Sequence, residues 1–350
     1  MTPAVTIGPT GIAVGVPPDH PELTELVEAR GALLHWNVLD RDRYPTARIH
    51  DPDRAAEWLW EVYGTTAAQS ILAGETPEAH DGDPVTLAAL STAARLGWCR
   101  VWWPASWLAD IPPLPVPVLT AELAVATAEL EHLLDDPDAV ARALADTDPD
   151  ALAELAGTFP RLSTLHDRLV DLLDDHGVVP QSVPTPTGPQ DWALAAGDRL
   201  AAGPVIMSGT SPVDWRLVAP GTVDAAADAA WRLSADAGRA RLTVSVLAAP
   251  LWRSDSVEPA LLTARFHRSR FPLRRDGAAG DYTGESDVDN TVWRLPAADR
   301  AVVVHSPGLA PEETDPDDPA AAGRRAAVIE HARARLADPL ATLTERSARP

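Results

Sequence analysis

From Val178 to Gln190 the chain reads VVPQSVPTPTGPQ, four prolines with no charge and no helical period. Each proline removes a backbone donor and its ring clashes with a preceding turn, so this stretch cannot lie inside a helix. It reads as an extended linker or a crossing strand. We therefore expect an acidic, mainly helical domain over 1–180, a Pro-rich linker over 181–190, a second domain over 191–310, and an acidic joint with a final helix over 311–350.

Before the break, one device recurs. Asp-Pro-Asp stands at Asp51–Asp53, Asp136–Asp138 and Asp148–Asp150, with a variant at Asp83–Pro84 and a late copy at Asp315–Asp317. The first Asp suits an N-cap, Pro suits the first turn where no N–H is missed, and the second Asp suits the positive end of the dipole. The calcium-loop alternative lacks the required glycine and spacing. Behind these starts the apolar residues follow a helical period. Leu119–Asp135 carries Leu123, Ala126, Leu130, Leu133 and Leu134, and Pro160–His176 carries Leu162, Leu165, Leu169, Leu172 and Leu173, closed by Gly177. Arg54–Ala73 and Val85–Trp103 read as further helices.

After the break the pattern changes to short β-branched runs: Ala230–Ser234, Arg241–Ala248, Leu261–His267, Tyr282–Glu285 and Arg300–His305. Gly and Asp turns in SADAGRAR and RRDGAAGDY join them. Strands linked by turns, without long helices between them, predict an antiparallel sandwich. Ala320–Leu336 reads as a last helix. The expected class is α+β: an N-terminal helical domain, an antiparallel β-sandwich-like domain and a C-terminal helix.

Charge is segregated in the same way. Residues 1–190 hold 29 acids and 10 arginines, residues 191–310 hold 14 and 13, and residues 311–350 hold 8 and 6. A net charge of −22 repels phosphate backbones, so nucleic acid is not an expected partner. All 29 basic residues are arginine. Without lysine there is no Walker A loop, no Schiff base to pyridoxal phosphate and no kinase strand lysine. The single cysteine, Cys99, leaves no internal disulfide and no cysteine-rich metal site. No basic segment precedes the apolar start AVTIGPTGIAVGV, and no apolar run reaches membrane-spanning length, so the expected address is the cytoplasm with no membrane partner.

Candidate chemistry is sparse. In GWCRVWWPASW, Trp98 and Trp102 are four apart, as are Trp103 and Trp107, but Pro104 disfavours helix at Trp103. We expect these rings chiefly in the core, with Trp102, Trp103 and Trp107 as possible aromatic anchors for a partner. No two histidines show a metal-binding spacing, and His35, His132 and His166 read as structural. His305-Ser306 ends a strand without a nucleophile elbow, SGTSP lacks the lysine of a phosphate loop, and Asp287-Val-Asp289 has only the shape of a cation motif. We therefore expect no catalytic residue, no metal and no cofactor.

The sharpest anomaly is RFHRSRFPLRR. It places Arg265, Phe266, Arg268, Arg270, Phe271, Arg274 and Arg275 in eleven residues of an otherwise balanced domain. Such a stripe suits docking to an acidic surface, on this chain or on a partner, better than nucleic acid.

Two stretches carry a resemblance. GWCRVWWPASWLADIPPLP and WRLVAPGTVDAAADAAWRL together resemble a group of uncharacterised actinobacterial proteins associated with multi-gene systems of MoxR-type ATPases, von Willebrand A domains or peptidase-like effectors. The Arg, Ala, Asp and Pro bias fits a GC-rich genome of that kind. The resemblance implies an accessory, partner-binding role, with the partner encoded nearby, and carries over no catalytic residue. The leading expectation is thus a non-catalytic adaptor of undetermined oligomeric state. Two others stand beside it: an enzyme with Asp, His and Arg at the domain interface, and a carbohydrate-binding sandwich using Trp215, Trp231, Trp252 or Trp293.

Overall fold

The computed structural model describes residues 4–40, 44–180, 205–236, 239–251, 261–275, 280–309 and 319–349. It is a mixed helix-and-strand protein with a large antiparallel sheet and a C-terminal helix. Two compact units divide it. Unit 1 comprises Met1–Trp103, Leu114–Ser182 and Arg333–Pro350; unit 2 comprises Pro104–Pro113 and Val183–Ala332. The proline-rich linker at 181–190 lies outside the described residues.

Unit 1 opens with a five-stranded antiparallel sheet, which the expectation of a mainly helical domain over 1–180 did not include; helices follow it. Its strands are β1 (Val5–Gly8), β2 (Gly11–Val14), β3 (Thr24–Ala29), β4 (Ala32–Asn37) and β5 (Thr46–Ile49), in the order β1-β2-β5-β4-β3. Alternation sets its two faces. Val27, Ala29, Ala32, Leu34, Trp36, Ala47 and Ile49 are buried, whereas Leu33, His35, Asn37, Thr46 and Arg48 face outward.

The buried face shares one core with the helices that follow: α1 (Pro52–Ala55), α2 (Leu59–Tyr63), α3 (Thr65–Leu72) and α4 (Pro84–Trp102). Residues 54–73, expected as one helix, are three short ones. Gly64 separates α2 from α3 at φ +86°, and a Cβ there would meet the Asp81 carbonyl oxygen at 2.7 Å. The unit continues with α5 (Val116–Glu129), α6 (Ala139–Ala145), α7 (Pro149–Thr158) and α8 (Ser163–His176).

The acid-proline starts act as expected in three places. Asp51, Asp83 and Asp148 accept from the backbone N–H of Arg54, Thr86 and Ala151. At the Asp136 copy the bonding differs: Asp136 accepts from the Asp138 N–H and pairs with Arg142 instead of capping α6. The late copy at Asp315–Asp317 lies outside the described residues. Gly177 ends α8 in the left-handed region, as the C′ reading requires.

Unit 1 closes with residues distant in sequence. After α9 (Pro319–Ala337), the short α10 (Leu343–Ser347) begins with a capping box between Thr342 and Glu345. The half-buried Glu122 carboxylate on α5 accepts from the N–H groups of Leu343 and Thr344 and from the Thr344 hydroxyl, at 2.7–2.8 Å. Arg335 holds the fully buried Glu345 by two bonds, 3.0 and 2.7 Å. Burial pushes the Glu122 pKa up despite the Thr344 bonds. Burial pulls Glu345 the same way, but Arg335 overcomes it and holds that carboxyl below its ordinary value.

In unit 2, seven strands form one antiparallel sheet in the order β12-β9-β10-β11-β8-β7-β6. They are β6 (Val205–Pro212), β7 (Asp228–Asp236), β8 (Arg239–Val246), β9 (Leu262–Phe266), β10 (Ser269–Arg275), β11 (Tyr282–Val288) and β12 (Val302–His305). Five of the seven strands fall on the runs read from the sequence; β6 and β10 do not. The sheet bends over itself. β10 and β11 share only the Arg274–Thr283 and Arg275–Tyr282 pairs, Trp231 of β7 meets Phe266 of β9 at 6.0 Å between ring centres, and the Val302 N–H of β12 donates to Ser211 of β6 at 2.9 Å. Its inner face is the unit's core, with Leu233, Leu242, Val244, Ala264, Phe266 and Leu273 buried.

Among the described residues no helix is long and apolar enough to cross a membrane.

Candidate functional site

The tryptophan segment divides by burial. Trp98 is 3% exposed, and its indole N–H donates to the Glu22 carbonyl at 2.9 Å, so it is core. Cys99 beside it is also buried, and burial first of all, with Glu345 adding to it, drives its thiol pKa well above the ordinary value. That keeps it a thiol, not a nucleophile. α4 ends at Trp102 and Trp103 is its C-cap, as Pro104 dictates; both rings are half-buried.

Trp107 is different. At 64% exposure, with Leu108 at 63%, it forms an apolar tip on a short loop whose ends pair at Ser106 and Ile111. The buried Asp224 carboxylate holds that loop, accepting from the Ser106 hydroxyl at 2.7 Å, the Trp107 N–H at 2.6 Å and the Ala226 N–H at 2.9 Å. Ser106 in turn accepts from the Ala109 N–H, and the Ala225 N–H donates to the Ala105 carbonyl. Two large apolar side chains are therefore presented to solvent on a fixed backbone.

The arginine stripe is the β9–β10 hairpin, turning at His267 with φ +49°. Strand alternation splits its seven candidate residues. Phe266 and Phe271 are 1% and 6% exposed and belong to the core, so the aromatic half of the proposed surface is corrected to structural. Arg275 turns with them, half-buried over the Tyr282 ring at 5.7 Å and donating to the Gly280 carbonyl at 3.3 Å. Arg265 and Arg270 stand directly opposite each other on the outer face, Arg274 follows Arg270 on that face, and Arg268 is exposed at the turn.

Like charges directly opposite across a sheet destabilise the pair. No ion pair engages Arg270 or Arg274 among the described residues, and β9 and β10 contain no acid. Of the two exposed outward acids on β11, Asp287 is matched to Arg241 at 3.3 Å and Arg239 at 3.7 Å, and Glu285 is in no ion pair among the described residues.

The remaining motifs are structural. Asp289 caps the Thr291 N–H at 2.8 Å, so Asp287 and Asp289 serve separate partners. Ser306 accepts from the Ala219 N–H at 2.9 Å. In the carbohydrate reading, Trp231 is buried, Trp215 and Trp293 are half-buried, and Trp252 lies outside the described residues. Among the described residues no three His, Cys, Asp or Glu side chains converge on a possible metal position.

Sequence reasoning missed one feature. On the outer face of the five-stranded sheet, a cavity of about 310 Å³ is lined by Asp19, His20, His35, Asn37, Asp40 and Tyr44, together with Val16, Pro17 and Pro18. His35, read as a structural histidine, has its Nδ1 buried without a partner, and burial first, then Arg48, lowers its pKa. Tyr44 donates to the His80 carbonyl at 3.0 Å. These residues gather from a loop, a strand and a second loop, so no local motif announces them.

Comparison of the chain with family models, with curated proteins and with solved structures gave no match.

Proposed function

We propose that this chain is a cytoplasmic, non-catalytic accessory protein that works by holding an acidic segment of a partner protein against the outer face of its β9–β10 hairpin. The observation that carries this reading is the pair of exposed, outward arginines Arg270 and Arg274 on a hairpin without acids, neither in an ion pair among the described residues, with Arg268 exposed at the turn. Guanidinium groups meet carboxylates in a two-pronged geometry, so a run of Glu and Asp would pair with Arg270 and Arg274. Trp107 and Leu108 supply the apolar element such an interface needs, since a few buried aromatic anchors dominate binding energy. The layered reading of unit 2 as a sandwich-like domain, supported by the Trp231–Phe266 contact across its core, supplies the rigid scaffold. The role implied by the actinobacterial resemblance, an accessory component whose partner is encoded nearby, belongs to the same proposal.

The test is fluorescence anisotropy with two labelled probes, a twelve-residue Glu/Asp-rich peptide and a short DNA duplex. The expected result is peptide binding near ~10 µM that weakens at least tenfold on raising salt or in the triple variant Arg268→Glu, Arg270→Glu, Arg274→Glu. Equal or tighter binding of the duplex, or no peptide binding by the intact chain, would overturn the proposal.

A further inference from the structure

The cavity on the outer face of unit 1 has no part in that reading. We infer that it is a binding site for a small uncharged polyhydroxylated molecule of monosaccharide size. Its volume, about 310 Å³, lies at the small end of the range of ligand pockets. Its lining combines apolar residues, Val16, Pro17, Pro18 and Leu23 among them, with polar ones.

The class follows from the donors and acceptors the polar residues leave unused. Asn37 spends its carbonyl oxygen on the Leu39 N–H at 3.0 Å, which leaves its NH2 group to donate. His35 lines the cavity, and its Nδ1 is buried without a partner. Asp19 and Asp40, both exposed, can only accept when ionised, and neither has an ion pair among the described residues.

A ligand must therefore accept at some points and donate at others within one small volume. Hydroxyl groups do both at every position. A phosphate or carboxylate would meet two Asp side chains and no Arg or Lys in the lining. An organic cation would satisfy the two carboxylates and leave the Asn37 donors idle, which costs the desolvation of those groups. The aliphatic part of the lining suits the C–H face of a sugar or cyclitol ring. This site is separate from the tryptophans of unit 2 considered for carbohydrate, and it shares no residue with the arginine hairpin, so either proposal can fail alone.

The experiment titrates the full chain with glucose and myo-inositol, and with choline and glucose 6-phosphate as charged comparators, while following the histidine ring resonances by NMR. The expected result is a saturable shift at His35 and His20 with a neutral probe, at a Kd of ~1–10 mM. His35→Phe, and independently the exposed Asp40→Asn, should each weaken it about fivefold, the loss of one hydrogen bond. Should His35→Phe misfold, Asp40→Asn carries the test. Saturation by choline and not by the neutral probes overturns the inference. So does glucose 6-phosphate binding as well as glucose, or no saturable shift with any probe.

Discussion

The molecule contains two antiparallel sheets that solve the same problem in opposite ways. The five-stranded sheet of unit 1 covers one face with helices and leaves the other outward; the seven-stranded sheet of unit 2 bends so that its own inner face is the core. In each, a strand's buried residues are fixed by packing and the alternate residues are left to choose their chemistry. The outer face of unit 1 carries His35, Asn37 and Thr46 around a cavity, and that of unit 2 carries Arg265, Arg270 and Arg274 on a convex hairpin. The lesson is that both proposed sites draw on the alternate residues of strands, where a composition-based reading blends them with the core.

That comparison breaks most sharply within β10. Phe271→Ala should cost about 3–5 kcal/mol, while Arg270→Ala on the opposite face should change stability by less than ~0.5 kcal/mol, both read by denaturant unfolding. A large loss at Arg270 would mean that the hairpin's outer face is structural. Smaller, and specific to the apolar tip, is Asp224→Ala. It strands the Ser106 hydroxyl and two backbone N–H groups, and should cost about 1–3 kcal/mol and raise hydrogen exchange at Trp107. Unchanged exchange there would show that the loop holds its shape without the carboxylate.

The smallest effect sharpens the picture of unit 1. The folded pKa of His35 lies below its unfolded value, so the unfolded chain takes up the proton first and stability falls as pH drops below about 6.5. Burial and Arg48 set this shift, with His20, Asp19 and Asp40 the other ionisable side chains in the wall. His35→Phe should flatten the decline between pH 7 and 5, measured as the variant-minus-parent difference in chemical denaturation.

Much of the fold was legible because its signals are local. Asp51, Asp83 and Asp148 cap where their Asp-Pro pattern says, Pro104 ends α4, and the β-branched runs of β7, β8, β9, β11 and β12 are strands. The opening sheet was missed because strands such as Gly11–Val14 are four residues long, too short for alternation to register. β10 was missed for another reason. Arg270, Phe271, Pro272, Leu273 and Arg274 alternate outward and inward, but reading the segment by composition made a basic aromatic stripe of what is a period-two strand. The cavity was out of reach, since its walls meet only after β3, β4 and β5 have paired.

The contacts that Glu122 makes with Leu343 and Thr344 span more than two hundred positions of chain. On the ribosome, α5 emerges long before its ligands exist, and the Val183–Ala332 segment of unit 2 is synthesised in the interval. The nascent first unit must therefore wait with the Glu122 carboxylate lacking these partners until Leu343 and Thr344 have been made. Late closure of this region is the kinetic consequence of building one unit from segments that flank most of another in sequence.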